Sequence, residues 1–187
     1  TTDASSSSRS EPSVGAVARA LNEWAVLGVL VQRPRHGYDV AAALAPASPV
    51  GATWRVTRPL VYRALDRLVA EGHAEPRRVE PGDGGPSRTV HGATRRGRAA
   101  LRAWLDTPVA HLREVRSGLL LKLVLLEELG LDRTALVEAQ RAAFAPLLAD
   151  RAEAGDAGVA ARWRRHSAAA VRAFLDDLAA SEVGRRR

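Results

Sequence analysis

Residues 57–93 read TRPLVYRALDRLVAEGHAEPRRVEPGDGGPSRTVHGA, a helical period that gives way to a strand period. In the first half Val61, Ala64, Leu65 and Leu68 recur at steps of three and four, so they share one face of a helix. Thr57 stands at the N-cap position, and Pro59 lies in the first turn, where its missing N–H removes no ladder bond. Gly72 closes the helix as a C-cap. Arg63, Asp66 and Arg67 project from the side opposite the apolar stripe. Beyond Gly72, His73 to Glu80 and Arg88 to Ala93 read as two short strands. Between them stands Pro81-Gly82-Asp83-Gly84-Gly85-Pro86, a strong turn signal, so the segment predicts a hairpin.

Upstream, Leu21, Trp24, Ala25, Gly28 and Val31 fall on one broad helical face, and Pro34 ends that helix. A short helix is expected from Gly37 to Leu44, with Asp39 in its first turn, followed by a Pro/Gly-rich loop, Ala45 to Ala52. Downstream, Thr94 caps a helix containing Ala99, Ala100, Trp104 and Leu105, which stops before Pro108. The remainder is helical: Leu112 to Leu129, then Asp132 towards Glu153, then a last helix after the Gly155–Gly158 break, reaching about Glu182. Residues 1–12 are polar and Ser-rich and read as a disordered tail. The order predicts a mainly α chain with a small β-hairpin wing. It divides into a winged helix-turn-helix over 13–107 and a helical dimerisation arm over 108–187.

Composition narrows the function. The chain has 187 residues and a net charge of +7, with a pI of about 11.1. Arginine dominates, and Lys122 is the single lysine, a bias that accounts for arginine over lysine but not for the excess of base over acid. A basic surface attracts polyanions, nucleic acid first among them. No cysteine is present, so disulfides and thiolate metal sites are excluded. His36, His73, His91, His111 and His166 have no metal-ligand spacing, and no phosphate loop, dinucleotide fingerprint or Gly-x-Ser-x-Gly elbow occurs. Neither catalysis, a metal nor a cofactor is expected. No run is apolar enough to span a bilayer, and the N-terminal residues lack a signal peptide's apolar core, so a cytoplasmic protein without a membrane partner is expected.

In a winged helix-turn-helix the third helix enters the major groove and the hairpin reaches the neighbouring backbone. Arg63 and Arg67 lie where that helix faces DNA, Arg58 lies at its N-terminal end beside Thr57, and Arg77, Arg78 and Arg88 flank the wing. Tyr62 has two readings: its hydroxyl donates to a phosphate, or its ring is partly buried beside Val61 and Ala64. Arg63 and Arg67 have an alternative too, pairing with Asp66 or Glu71 on a solvated face. His36 and Tyr38 read as structural, fixing the turn between the first two helices.

These segments resemble a known family. Leu27-Gly28-Val29-Leu30, then Pro34-Arg35-His36-Gly37-Tyr38-Asp39-Val40, is similar to the leucine-glycine run and His-Gly-Tyr motif of the PadR family of transcriptional regulators. Leu60-Val61-Tyr62-Arg63-Ala64-Leu65-Asp66-Arg67-Leu68 with Glu71-Gly72 resembles that family's recognition helix, and Thr94-Arg95-Arg96-Gly97-Arg98 its wing exit. The resemblance extends, less specifically, through Leu119–Leu129 and Trp163 to Leu178. Four departures stand out: Gly85-Pro86-Ser87 with the arginine displaced to Arg88, His91 for an aromatic, Ala93 for leucine, and Arg95-Arg96 for an acidic pair. Cations in a helix's first turn are disfavoured, which invites a phosphate partner at Arg95.

The resemblance implies a dimeric transcriptional regulator, usually a repressor, that binds an inverted-repeat operator and releases it when a small molecule or other signal arrives. Two copies read two half-sites about one helical turn apart, and the apolar run that includes Leu119, Leu120, Leu123 and Leu126 is expected, with Trp163 and Phe174, to cover itself against the partner. Trp24 and Trp104 have two readings, as core or interface residues and as platforms for a flat aromatic effector. The alternative function is a non-specific or architectural DNA binder without an effector.

Overall fold

Helix α1 (Val14–Gln32) leads into a two-residue strand β1 (Arg35–His36) and helix α2 (Gly37–Ala43). This computed structural model describes the backbone of residues 14–81, 87–153 and 158–185. The expected tail over 1–12, the wing tip Gly82–Pro86 and most of the Gly155–Gly158 break lie outside the described residues. The helix expected from Thr57 to Gly72 is α4 (Arg58–Ala70), because a further helix, α3 (Pro49–Thr53), stands in the segment expected as a loop. Ser48 caps α3, its hydroxyl accepting from the Gly51 N–H at 3.0 Å, and Pro49 takes the first helical position. The Ser-Pro pair that resembles a breaker is here a helix start.

Helix α4 ends in a Schellman turn. The His73 N–H donates to the Leu68 carbonyl at 2.8 Å and the Gly72 N–H to Val69 at 3.0 Å, with Gly72 at φ +72°. The chain then forms β2 (Ala74–Glu80) and β3 (Arg88–Ala93), and β1 adds to the far side of β3, giving an antiparallel sheet of order β1-β3-β2. The register runs from Ala74 opposite Ala93 to Glu80 opposite Arg88, and it shifts between Pro76 and Arg78, leaving Arg77 as the extra residue of a bulge. Thr94 caps α5 (Arg95–Asp106) as expected: its hydroxyl accepts from the Gly97 N–H at 3.0 Å and donates to the Gly72 carbonyl at 2.8 Å. One side chain thus ties the end of α4 to the start of α5.

The helix expected over Leu112–Leu129 is irregular at its start. A 3-10 turn (Leu112–Glu114) and a wide turn (Val115–Leu119) precede α6 (Leu120–Glu128), and α7 (Thr134–Glu153) and α8 (Val159–Arg185) follow. Helices α7 and α8 pack along each other, and α6 packs against α1, α3 and α5. Gly28 of α1 gives α6 its closest approach, since a Cβ there would stand 2.5 Å from the Leu125 side chain. The apolar core is one cluster, from Leu27 and Leu30 through Leu65 and Leu101 to Leu121, Leu125 and Phe144.

That packing corrects the expectation that the leucine run needs a second chain as cover. Within one chain Leu119 and Leu126 are 0% and 1% exposed and Leu123 6%, and Leu120 is half-buried against the core. A helix apolar all round is a core helix, and here α1, α3 and α5 supply the cover. Phe174 is also half-buried on the core, whereas Trp163 is 71% exposed. No described helix is long and apolar enough to cross a membrane.

Candidate nucleic-acid interface

Helix α4 buries Val61, Ala64, Leu65 and Leu68 and leaves Arg58, Tyr62, Arg63, Asp66 and Arg67 exposed. Gly37 positions Tyr62, because a Cβ on Gly37 would fall 2.6 Å from the tyrosine ring. The ring therefore packs against the start of α2 while part of it stays accessible, the residue being 44% exposed. Tyr38 corrects its structural reading: it is 55% exposed, and the Arg58 guanidinium sits 4.8 Å over its ring, a cation–π contact.

Between this end of α4 and the sheet is a cleft of about 540 Å³, lined by Tyr38, Arg58, Tyr62, Arg88, Thr89 and His91 among others. No carboxylate is among its described lining residues. Two arginines and two tyrosine hydroxyls therefore face one concavity, a donor set suited to phosphate oxygens. Burial pushes the His91 imidazole below its ordinary pKa.

The wing is braced across its own sheet. His36 of β1 reaches over β3 to Glu80 of β2, with Nε2 2.7 Å from the carboxylate, and the Arg78 Nε meets the same carboxylate at 2.5 Å. The Glu80 carboxyl is held below the usual range by Arg78 and then by His36. His36 is thus structural as expected, though its partner is the wing.

Other expected contacts lie apart from the cleft. Arg67 is held by Glu71 at 2.9 Å and Glu23 at 3.0 Å, with its charge reinforced by the Glu71 hydrogen bond and then by Glu23. Its intramolecular pairing is the bland alternative stated above. Arg77 pairs with Glu75 at 2.9 Å and lies over Gly92. Arg95 is exposed at the first position of α5, and the exposed Thr57 is the backbone N-cap of α4 without a side-chain capping bond.

Trp24 and Trp104 meet, but each other: their rings stack 5.1 Å apart at 11°. Composition drew attention to Lys122 without assigning it a role. The residue is 3% exposed, and its ammonium lies 4.4 Å over Trp104 and donates to the Thr107 carbonyl at 2.6 Å and to the Trp104 carbonyl. It satisfies carbonyls at the end of α5, and burial pushes its pKa down to about 8. A single lysine inside a leucine run was the available signal.

Comparison with known proteins shows what the chain resembles. Residues 26–103, from the middle of α1 through most of α5, match the transcriptional regulator PadR-like family. No curated protein matches the chain. Among solved structures, the chain is similar to Bacillus subtilis PadR in complex with operator DNA, at 18% identity over 85% of this chain and 97% of that one, TM-score 0.45. It is similar to the same protein in complex with p-coumaric acid, at 18% identity over 86% and 98%, TM-score 0.42. A third similar structure is smu.1604c from Streptococcus mutans UA159, at 18% identity over 84% and 98%, TM-score 0.42. Over residues 26–103, its winged-helix part, the chain is similar to the transcriptional regulator PadR-like family.

Proposed function

We propose that the protein is a dimeric, sequence-specific repressor that places α4 in the major groove and grips adjoining phosphates with Arg58, Tyr62 and Arg88. The carrying observation is the cleft without carboxylates at the junction of α4 and the wing. The exposed Arg95 extends the basic surface along α5. Residues 13–107 act as the DNA-binding domain and 108–187 as the arm that pairs two copies on an inverted repeat. A small-molecule effector is the further element of this reading, with the Trp24–Trp104 stack as its aromatic platform once the rings part.

The test is a fluorescence-anisotropy titration of the DNA upstream of the protein's own gene, at near-physiological salt, beside a shuffled duplex. Binding at least ~1,000-fold tighter to the upstream DNA is expected. Equal binding to both duplexes that collapses as salt rises would identify a non-specific or architectural binder instead.

A further inference from the structure

We infer that Arg63 is the residue of α4 that reads base sequence, and that each operator half-site carries a guanine opposite it. The inference rests on α4 being the helix that enters the groove. Successive residues of an α-helix turn by about 100°, so the direction of each side chain of α4 follows from the buried set. Val61, Ala64, Leu65 and Leu68 define the inward pole. Pro59, Arg63, Asp66 and Ala70 then lie within about 40° of the outward pole, while Tyr62 and Arg67 stand roughly 70° to either side.

Each flanking or terminal residue of α4 already has a place in the protein. Tyr62 lies on Gly37, Arg58 lies over Tyr38, and Arg67 is held between Glu23 and Glu71. Arg63 is exposed, and among the described residues no ion pair or hydrogen bond engages its guanidinium, not even with Asp66 three residues on. Of the four residues near the pole, Pro59 and Ala70 carry no side-chain donor or acceptor, and Asp66 only accepts. Arg63 alone can donate two parallel hydrogen bonds. In the major groove the matching pair of acceptors is O6 and N7 of guanine. Phosphate gripping is left to the cleft beside it, so positioning and base readout fall to different residues.

The experiment is selection of binding sites from a randomised duplex library with the full-length protein, repeated with Arg63→Ala and Arg63→Gln. Both changes are at an exposed position, and circular dichroism confirms that each variant is folded. The wild type is expected to enrich a motif with one strongly preferred guanine per half-site. Arg63→Ala should lose about 5- to 150-fold of discrimination at that position alone. Arg63→Gln should move the preference towards adenine, whose N6 and N7 suit a carboxamide. An unchanged motif in both variants would overturn the inference while leaving the DNA-binding function intact. So would uniform weakening on all sequences with a reduced salt slope, the mark of a phosphate contact. Failure of the wild type to enrich any motif would overturn the sequence-specific function itself.

Discussion

Two side chains show how much one residue can decide in this chain. Tyr62 reaches the cleft because Gly37 has no Cβ. Gly37→Ala puts a methyl 2.6 Å from the ring, which must swing away or push α2 aside. Overpacking of this kind costs about 1–3 kcal/mol. The expected result is a modest loss in denaturant titration with a larger loss of operator affinity, because under the proposed function the displaced group is a DNA contact. Loss of stability with unchanged affinity would remove Tyr62 from the interface. Lys122 is the second case. A folded pKa of about 8 against an ordinary 10.5 means that the unfolded chain binds the extra proton between those values. Stability contributed at this site therefore rises as pH climbs from about 8 to 10.5. The difference between wild type and Lys122→Met, measured by urea unfolding at pH 7 and pH 10, isolates it. The wild type should gain relative to the variant at the higher pH, and an equal or opposite change would mean that the ammonium is not held against its solvation.

At the scale of elements, what could be read in the sequence follows from how local each device is. The cap at Thr94 and the stop at Gly72 are written in single residues at fixed offsets, and both stand where the pattern put them. So does the stripe of α4. Helix α3 was hidden because Ser48-Pro49 and Gly51 carry the composition of a loop, and a five-residue helix offers no periodicity to oppose it. Strand β1 was hidden because two residues cannot alternate; pairing with Val90 and His91 of β3 makes it a strand. The cleft needs α2, α4 and β3 together, so the sequence placed Arg58, Tyr62 and Arg88 near DNA without bringing in Tyr38. Leu119 and Leu126 were assigned a partner chain because periodicity reports an apolar surface and not which chain covers it. Gln140 shows a similar blind spot. It is 0% exposed, accepting from the Val109 N–H at 2.8 Å and donating to the Val109 carbonyl at 3.0 Å. The pair fastens the linker after α5 onto α7, a contact across 31 residues. Gln140→Leu leaves two buried backbone groups unsatisfied, each costing about 1–3 kcal/mol. A drop of several kcal/mol in unfolding free energy is expected, and a near-neutral result would mean that water replaces the amide.

For the whole molecule, the proposed dimer needs a contact other than the leucine run, which is covered from within. Helix α8 packs on α7 and buries Ala161, Ala168 and Leu175, spaced seven apart, as one seam of a helix pair requires. Trp163 does not belong to that seam. It stands 71% exposed near Val159, which is 87% exposed, and tryptophan is among the side chains most enriched at the centres of protein interfaces. We propose this end of α8 as the dimer contact, which leaves the α4 cleft available to DNA. Two consequences separate it from a contact through α6. Trp163→Glu should convert a wild-type dimer into a monomer in sedimentation velocity, with unfolding changed by no more than about 0.5 kcal/mol, because an exposed side chain carries little of the fold. Binding to a single half-site should persist in that variant, while the gain from a second half-site about one helical turn away should vanish, since only a dimer engages both. If Trp163→Glu remains dimeric and cooperative, the contact lies elsewhere on the molecule. If the wild type is itself a monomer at micromolar concentration, pairing must be induced by the DNA, and the spacing of half-sites would then be set by the operator and not by the protein.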